Sequence, residues 1–162
     1  MKIGIYPGSF NPFHIGHYNI ANKAEKIFDH IIIAQGKNPD KKGIDFEEYA
    51  EYSLPFKFIR YESSLIQLIK DRKERFPKND YFIIRGLRNG YDLHYEEILR
   101  KSIEDAFINL YIVNFVYLFC DREYEHISSS MINNLNSCDE DTTRYFFDLD
   151  SKILYHENKE TY

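Results

Sequence analysis

Tryptophan is absent from this chain, and cysteine occurs only twice, at Cys120 and Cys138. Two cysteines are too few for a disulfide scaffold, and these two stand at no metal-ligand spacing. Both are therefore expected as free thiols in a reducing compartment. No run approaches the ~18 apolar residues of a membrane-crossing helix, and the opening MKIGIYPGSF has too short an apolar stretch for a secretory leader. A cytoplasmic protein is expected. The 7 glycines and 5 prolines form no linker-like cluster, and no internal repeat is found. The 162 residues thus read as one domain, 1–162, long enough to bury a single sizeable core. Positive charge is not in excess either, because 21 Lys and Arg face 26 Asp and Glu. A net charge of −5 argues against a nucleic-acid backbone as the main partner, yet it leaves room for a small anion on a local basic cluster.

Short apolar runs alternate with amphipathic stretches along the chain. Residues 2–6 read as a strand ended by Pro7 and Gly8, and 16–28 as a helix carrying Ile20, Ala21, Ala24, Ile27 and Phe28 on one face. The β-branched run 30–35 (HIIIAQ) suits a strand covered on both faces, and 36–43 a polar loop. A weakly helical stretch at 45–52 precedes a strand at 56–61 and a charged helix from Leu65 to before Pro77. A strand at 81–84 is expected to break at Arg85-Gly86. A long helix at 92–107, a strand at 113–119 and a helix N-capped by Ser128 follow. This alternation predicts an α/β fold, a single Rossmann-like domain whose parallel sheet carries helices on both faces. In such folds ligands bind at the carboxyl ends of the strands, and the polar motifs of this chain all fall there.

Four motifs stand out. In Gly8-Ser9-Phe10-Asn11-Pro12-Phe13-His14-Ile15-Gly16-His17, two histidines stand at a helix N-terminus, where amides favour anions. The tetrapeptide H-I-G-H is also the nucleotide-binding signature of class I aminoacyl-tRNA synthetases, but no K-M-S-K-S follows. In Arg85-Gly86-Leu87-Arg88-Asn89-Gly90-Tyr91-Asp92, two arginines can grip phosphate oxygens with planar forks. Ile127-Ser128-Ser129-Ser130 opens a helix with hydroxyls and amides. The last motif is the lysine pair Lys41-Lys42 after the second strand.

YPGSFNPFHIGH, FDHIIIAQGKNPDKK, IRGLRNGYDLHYE and EHISSSMI, in this order, resemble the phosphopantetheine adenylyltransferases of the H-x-G-H nucleotidyltransferase superfamily. The resemblance implies the nucleotidylyl transferase fold and transfer of AMP from ATP to 4′-phosphopantetheine, giving dephospho-CoA and pyrophosphate in coenzyme A biosynthesis. It implies His17, Lys41, Arg88 and His14 as catalytic residues. ATP would meet Ser9, Phe10, His17, Gly86, Leu87, Arg88, Glu96 and the run Tyr124, Glu125, His126, Ile127, Ser128, Ser129 and Ser130. The acceptor would meet Ser9, Lys41, Ile66 and Arg85. The resemblance also implies a homo-oligomer, often a hexamer. His14 stands where many family members carry threonine, Tyr124 where the family often has tryptophan, and GIDFEEYAEYSLPF departs from the family's F-T-x-E-E-R segment.

The reaction needs neither a general base nor a covalent nucleophile, because the attacking phosphate is already anionic. What helps is cancelling charge repulsion and aligning two phosphates. No carboxylate cluster offers a full cage for a metal, so Mg²⁺ is expected on the ATP phosphates rather than on protein side chains. The rival readings are an adenylyltransferase for another phosphate acceptor such as nicotinamide mononucleotide, a CMP transferase, a non-catalytic nucleotide-binding module, and an RNA-acting synthetase fragment. The final motif lacks the R-T-x-G-I-S-T-T of cytidylyltransferases, and the acidic charge argues against RNA.

Overall fold

β-Branched runs and amphipathic stretches produce the expected alternation. The computed structural model describes residues 1–36, 56–106 and 114–146. Its elements are β1 (Lys2–Gly8), α1 (Ile15–Glu25), β2 (His30–Gly36), β3 (Lys57–Tyr61), α2 (Leu65–Arg75), β4 (Asp80–Leu87), α3 (Gly90–Ala106), β5 (Asn114–Phe119) and α4 (Ser129–Asn136). Lys41, Lys42, the expected helix at 45–52 and the ends of the expected elements at 107 and 113 lie outside the described residues.

The described strands form one parallel sheet in the order β3-β2-β1-β4-β5. Strand alternation sends side chains to two cores. Ile3, Ile5, Ile32, Ala34 and Ile83 meet Leu68 and Ile69 of α2 and Ile103 of α3. Tyr6, Ile31, Ile33 and Ile84 meet Ile20, Ala21 and Ala24 of α1 on the opposite face. Helices on both faces are therefore observed. The isoleucines Ile5, Ile33, Ile83 and Ile84 are almost wholly buried, and each such side chain stabilises the fold by about 1.5–3 kcal/mol. The order reverses direction between β1 and β4, which opens a crevice at their carboxyl ends.

Two expected boundaries are corrected. The first helix ends at Glu25 with Lys26 as its C-cap, not at Phe28. The Asp29 N–H bonds to the Lys2 carbonyl, turning the chain so that Phe28 enters the core while Ile27 stays exposed. The fourth strand does not break at Arg85-Gly86; its ladder continues through Arg85↔Tyr117, Gly86↔Leu118 and Leu87↔Phe119. Gly86 marks a close approach and not a turn. A Cβ there would lie 2.9 Å from the Tyr6 hydroxyl and 3.0 Å from Ile20 Cγ1.

Candidate active site

At the crevice between β1 and β4, His14 is the N-cap of α1. Its Nδ1 accepts the Gly16 N–H at 3.1 Å, while the His14 N–H donates to Nδ1 of His17 at 3.3 Å. In a neutral imidazole whose Nδ1 accepts, the ring proton sits on Nε2. Both rings therefore present Nε2 as their donor, and both line the same cleft. The rings stack with centroids 3.7 Å apart. Burial, and then the charge of Arg88, push the His14 imidazole down to about 4, so it is neutral at physiological pH. A Cβ at Gly16 would come within 3.0 Å of the His14 ring, so the small residue in H-I-G-H lets that ring fold back over its own helix. Phe10 and Phe13 back the His17 ring at centroid distances of 5.0 and 5.4 Å.

The same cleft, of about 460 Å³, receives Arg88 from the end of β4 and the serines that open α4. Asp92, in the first turn of α3, accepts the Arg88 N–H at 2.8 Å and its guanidinium at 3.2 and 3.3 Å. Partial burial works against ionisation of Asp92, but the hydrogen bonds from the Arg88 backbone and side chain outweigh it and hold the carboxyl below its usual value. Across the cleft, Ser128 is the N-cap of α4, its Oγ accepting the Met131 N–H at 3.1 Å. Histidine N–H groups, a guanidinium and a helix N-terminus thus converge on one cavity, a donor set suited to a polyphosphate.

A second cleft, of about 420 Å³, lies beside the first and is lined by Ser9, Tyr61, Leu65, Ile66 and Arg85. Arg85 is held by Glu96 through two contacts, Nε to Oε2 at 2.5 Å and an Nη to Oε1 at 2.7 Å, and its other Nη reaches the Pro7 carbonyl at 3.4 Å. The pair is largely buried. Glu96 faces the first cleft and Arg85 the second, so one ion pair forms part of both walls.

Known proteins are similar to this chain over most of its length. The cytidylyltransferase-like family matches residues 5–135. The phosphopantetheine adenylyltransferase of Cytophaga hutchinsonii is 30% identical over 146 residues, covering 89% of this chain and 95% of the relative. That of Mycoplasma capricolum subsp. capricolum is 34% identical over 139 residues, covering 83% and 96%. The chain belongs to the phosphopantetheine adenylyltransferase family. It is thereby a nucleotidyltransferase. The fold is also that of Plasmodium falciparum nicotinic acid mononucleotide adenylyltransferase complexed with NaAD, at TM-score 0.63 and 18% identity, with 95% of each chain covered.

Measured against the phosphopantetheine adenylyltransferase pattern, the first cleft collects His14, His17, Gly86, Leu87, Arg88, Glu96, Tyr124, Ile127 and all three serines. Ser9, Arg85 and Ile66 share the second cleft. Phe10 lies buried behind His17 and lines neither cleft, its backbone in the left-handed region at φ 45°. Glu125 and His126 are exposed and also line neither. Lys41 lies outside the described residues. Sequence reasoning missed Asp92 as a site residue, although its spacing of four from Arg88 on a helix start is a readable signal. It also missed Tyr6 and Cys120 in the cleft wall and the exposed rings of Tyr91 and Tyr95 at its rim, which carry no local signature. A further omission is the tie between α1 and the end of β5. Asn19 and Asp121 exchange two hydrogen bonds, of 2.7 and 3.1 Å, and Lys23 bonds Asp121 and the Phe119 carbonyl at 2.6 Å each.

Proposed function

We propose that the chain transfers AMP from ATP to 4′-phosphopantetheine, with release of pyrophosphate. The observation that carries this reading is the pair of adjoining clefts. One is built of donors for a triphosphate. The other is lined by Arg85 together with Leu65, Ile66, Leu99 and Ile103. A phosphate joined to an uncharged, flexible arm fits such a cleft, with a basic anchor and apolar walls beyond it.

The acceptor phosphate attacks the α-phosphorus of ATP in line with the departing pyrophosphate. Nε2–H of His17 donates to a non-bridging oxygen as charge gathers there, Arg88 offsets the charge of the phosphates being expelled, and the Ser128 hydroxyl donates a hydrogen bond to them. His14, neutral and stacked on His17, keeps that ring oriented. Lys41 is assigned to the acceptor phosphate by family resemblance. The carboxylates nearest the triphosphate cleft, Asp92 and Glu96, are engaged by Arg88 and Arg85, so Mg²⁺ would arrive on the ATP phosphate oxygens and add charge neutralisation there. We further assign the chain to the cytoplasm and to a homo-oligomer, a hexamer by family resemblance; light scattering on the purified protein measures the assembly.

The deciding experiment is pyrophosphate release from ATP with phosphopantetheine and with nicotinamide mononucleotide, side by side. Turnover is expected with phosphopantetheine and none comparable with the mononucleotide. The reverse pattern rejects the acceptor and keeps adenylyl transfer. Lys41→Ala should weaken phosphopantetheine binding at least tenfold, about 1.4 kcal/mol, and leave ATP affinity almost unchanged.

A further inference from the structure

Two side chains of α4, Ser129 in the wall of the nucleotide cleft and Asn133 outside it, hold the loop that leads into the histidines. Ser129 Oγ donates to the Pro12 carbonyl at 3.0 Å, and Asn133 Nδ2 donates to the Asn11 carbonyl at 3.2 Å. Residues four apart on a helix share one face, so a single face of α4 holds two consecutive carbonyls. These carbonyls stand just ahead of Phe13, which backs His17, and His14, which caps α1. A hydroxyl has one proton, and that of Ser129 is engaged by Pro12. Ser128 differs, because its Oγ accepts the Met131 N–H and so keeps its proton to give. Ser129 can still offer an anion its backbone N–H in the first turn of α4.

We propose that Ser129 and Asn133 form a positioning clasp that sets the serine end of α4 against the histidine end of α1, and that Ser128 supplies the hydroxyl that meets the nucleotide. The proposal rests on the adenylyl-transfer reading for its consequence in turnover. Two helix N-termini must hold one triphosphate, and their relative placement decides whether His17 reaches the transferring phosphorus. A misplacement on the order of 1 Å costs about 10²-fold in rate. Asn133 lines neither cleft, so its effect on turnover runs through the loop it holds and not through contact with the nucleotide.

The test compares Asn133→Asp, Ser129→Ala, the double variant and Ser128→Ala with the wild type. Asn133→Asp is nearly isosteric but replaces the donor with a carboxylate that repels the Asn11 carbonyl. Asn133→Asp and Ser129→Ala should each lower kcat at least tenfold per folded molecule, with the ATP Kd moved less than about threefold. The double variant should lose little more than the worse single variant, because the two bonds act as one unit. Ser128→Ala should instead raise the ATP Kd about tenfold. Amide hydrogen exchange over residues 11–17 is the readout that does not depend on turnover, and it should accelerate at least tenfold in Asn133→Asp. Unchanged exchange in Asn133→Asp overturns the clasp whether or not the enzyme turns over. So does a Ser129→Ala variant that loses ATP affinity as strongly as Ser128→Ala at full kcat. Absence of pyrophosphate release by the wild type would reject the adenylyl-transfer reading alone, and hydrogen exchange would still decide the clasp.

Discussion

At the scale of single residues, the two histidines divide structure from chemistry. His14 has both a structural task and a titration. Its imidazole is held near 4 against an ordinary 6.5, so the unfolded chain binds the proton that the folded chain refuses. Folding stability tied to His14 is therefore fully present above about pH 6.5 and is lost as pH falls toward 4, by on the order of 3 kcal/mol at the acid end. His14→Asn keeps a capping side chain and removes the titration. Chemical denaturation of the two proteins at pH 7.5 and 4.5 should show a smaller acid loss in the variant. His17 is placed to act on the transition state. His17→Ala should lower kcat by about 10²–10³, or 3–4 kcal/mol, with a much smaller change in the KM for ATP. A variant keeping more than about a tenth of wild-type kcat would remove His17 from that role. Cysteine chemistry separates just as cleanly. Cys138 is exposed, whereas burial pushes the Cys120 thiol up to about 11. Native protein at pH 8 should take up one equivalent of iodoacetamide quickly and a second only after unfolding, which mass spectrometry reads directly.

At the scale of elements, the informative departure is β4. Gly86 suggests a turn on local grounds, yet the strand runs on to Leu87 because β5 supplies partners for its backbone. The missing side chain is needed where Tyr6 and Ile20 approach from β1 and α1. Gly86→Val should therefore destabilise the fold by about 1–3 kcal/mol through overpacking, and it should narrow the cleft enough to raise the ATP KM. Thermal unfolding and steady-state kinetics on the same preparation check both effects. The end of α1 follows the same logic. Helical spacing placed Ile27 on the buried face, but the chain leaves the helix after Glu25 to bond with β1, and the periodicity ends with it. Local pattern carried the interior of each element, and tertiary hydrogen bonds decided the ends.

At the scale of the whole molecule, the two clefts share a wall made of Arg85 and Glu96, and their arginines should separate by ligand. Arg88→Ala should weaken ATP binding at least tenfold with acceptor binding nearly intact. Arg85→Lys keeps a positive charge opposite the buried Glu96 but loses the planar fork. It should raise the acceptor KM about fivefold or more, with the ATP KM within about twofold. Calorimetry with each ligand separately distinguishes these outcomes, and an equal loss of both ligands in either variant would mean that the clefts are misassigned.

The sequence by itself determined the fold class, the strand–helix order, the family, and the residue types that meet at the carboxyl ends of the strands. These rest on patterns a few residues long: alternation, N-caps, and glycines beside histidine and arginine. Only the tertiary structure decided that Arg85 is held by Glu96 while Arg88 is held by Asp92, and that Phe10 supports His17 from the core. It also decided that the Ser129 hydroxyl is engaged by Pro12 while that of Ser128 keeps its proton. The physical reason is that a hydrogen bond is satisfied by whichever partner the packed chain brings within about 3 Å, and for Ser129 that partner is 117 residues away in sequence.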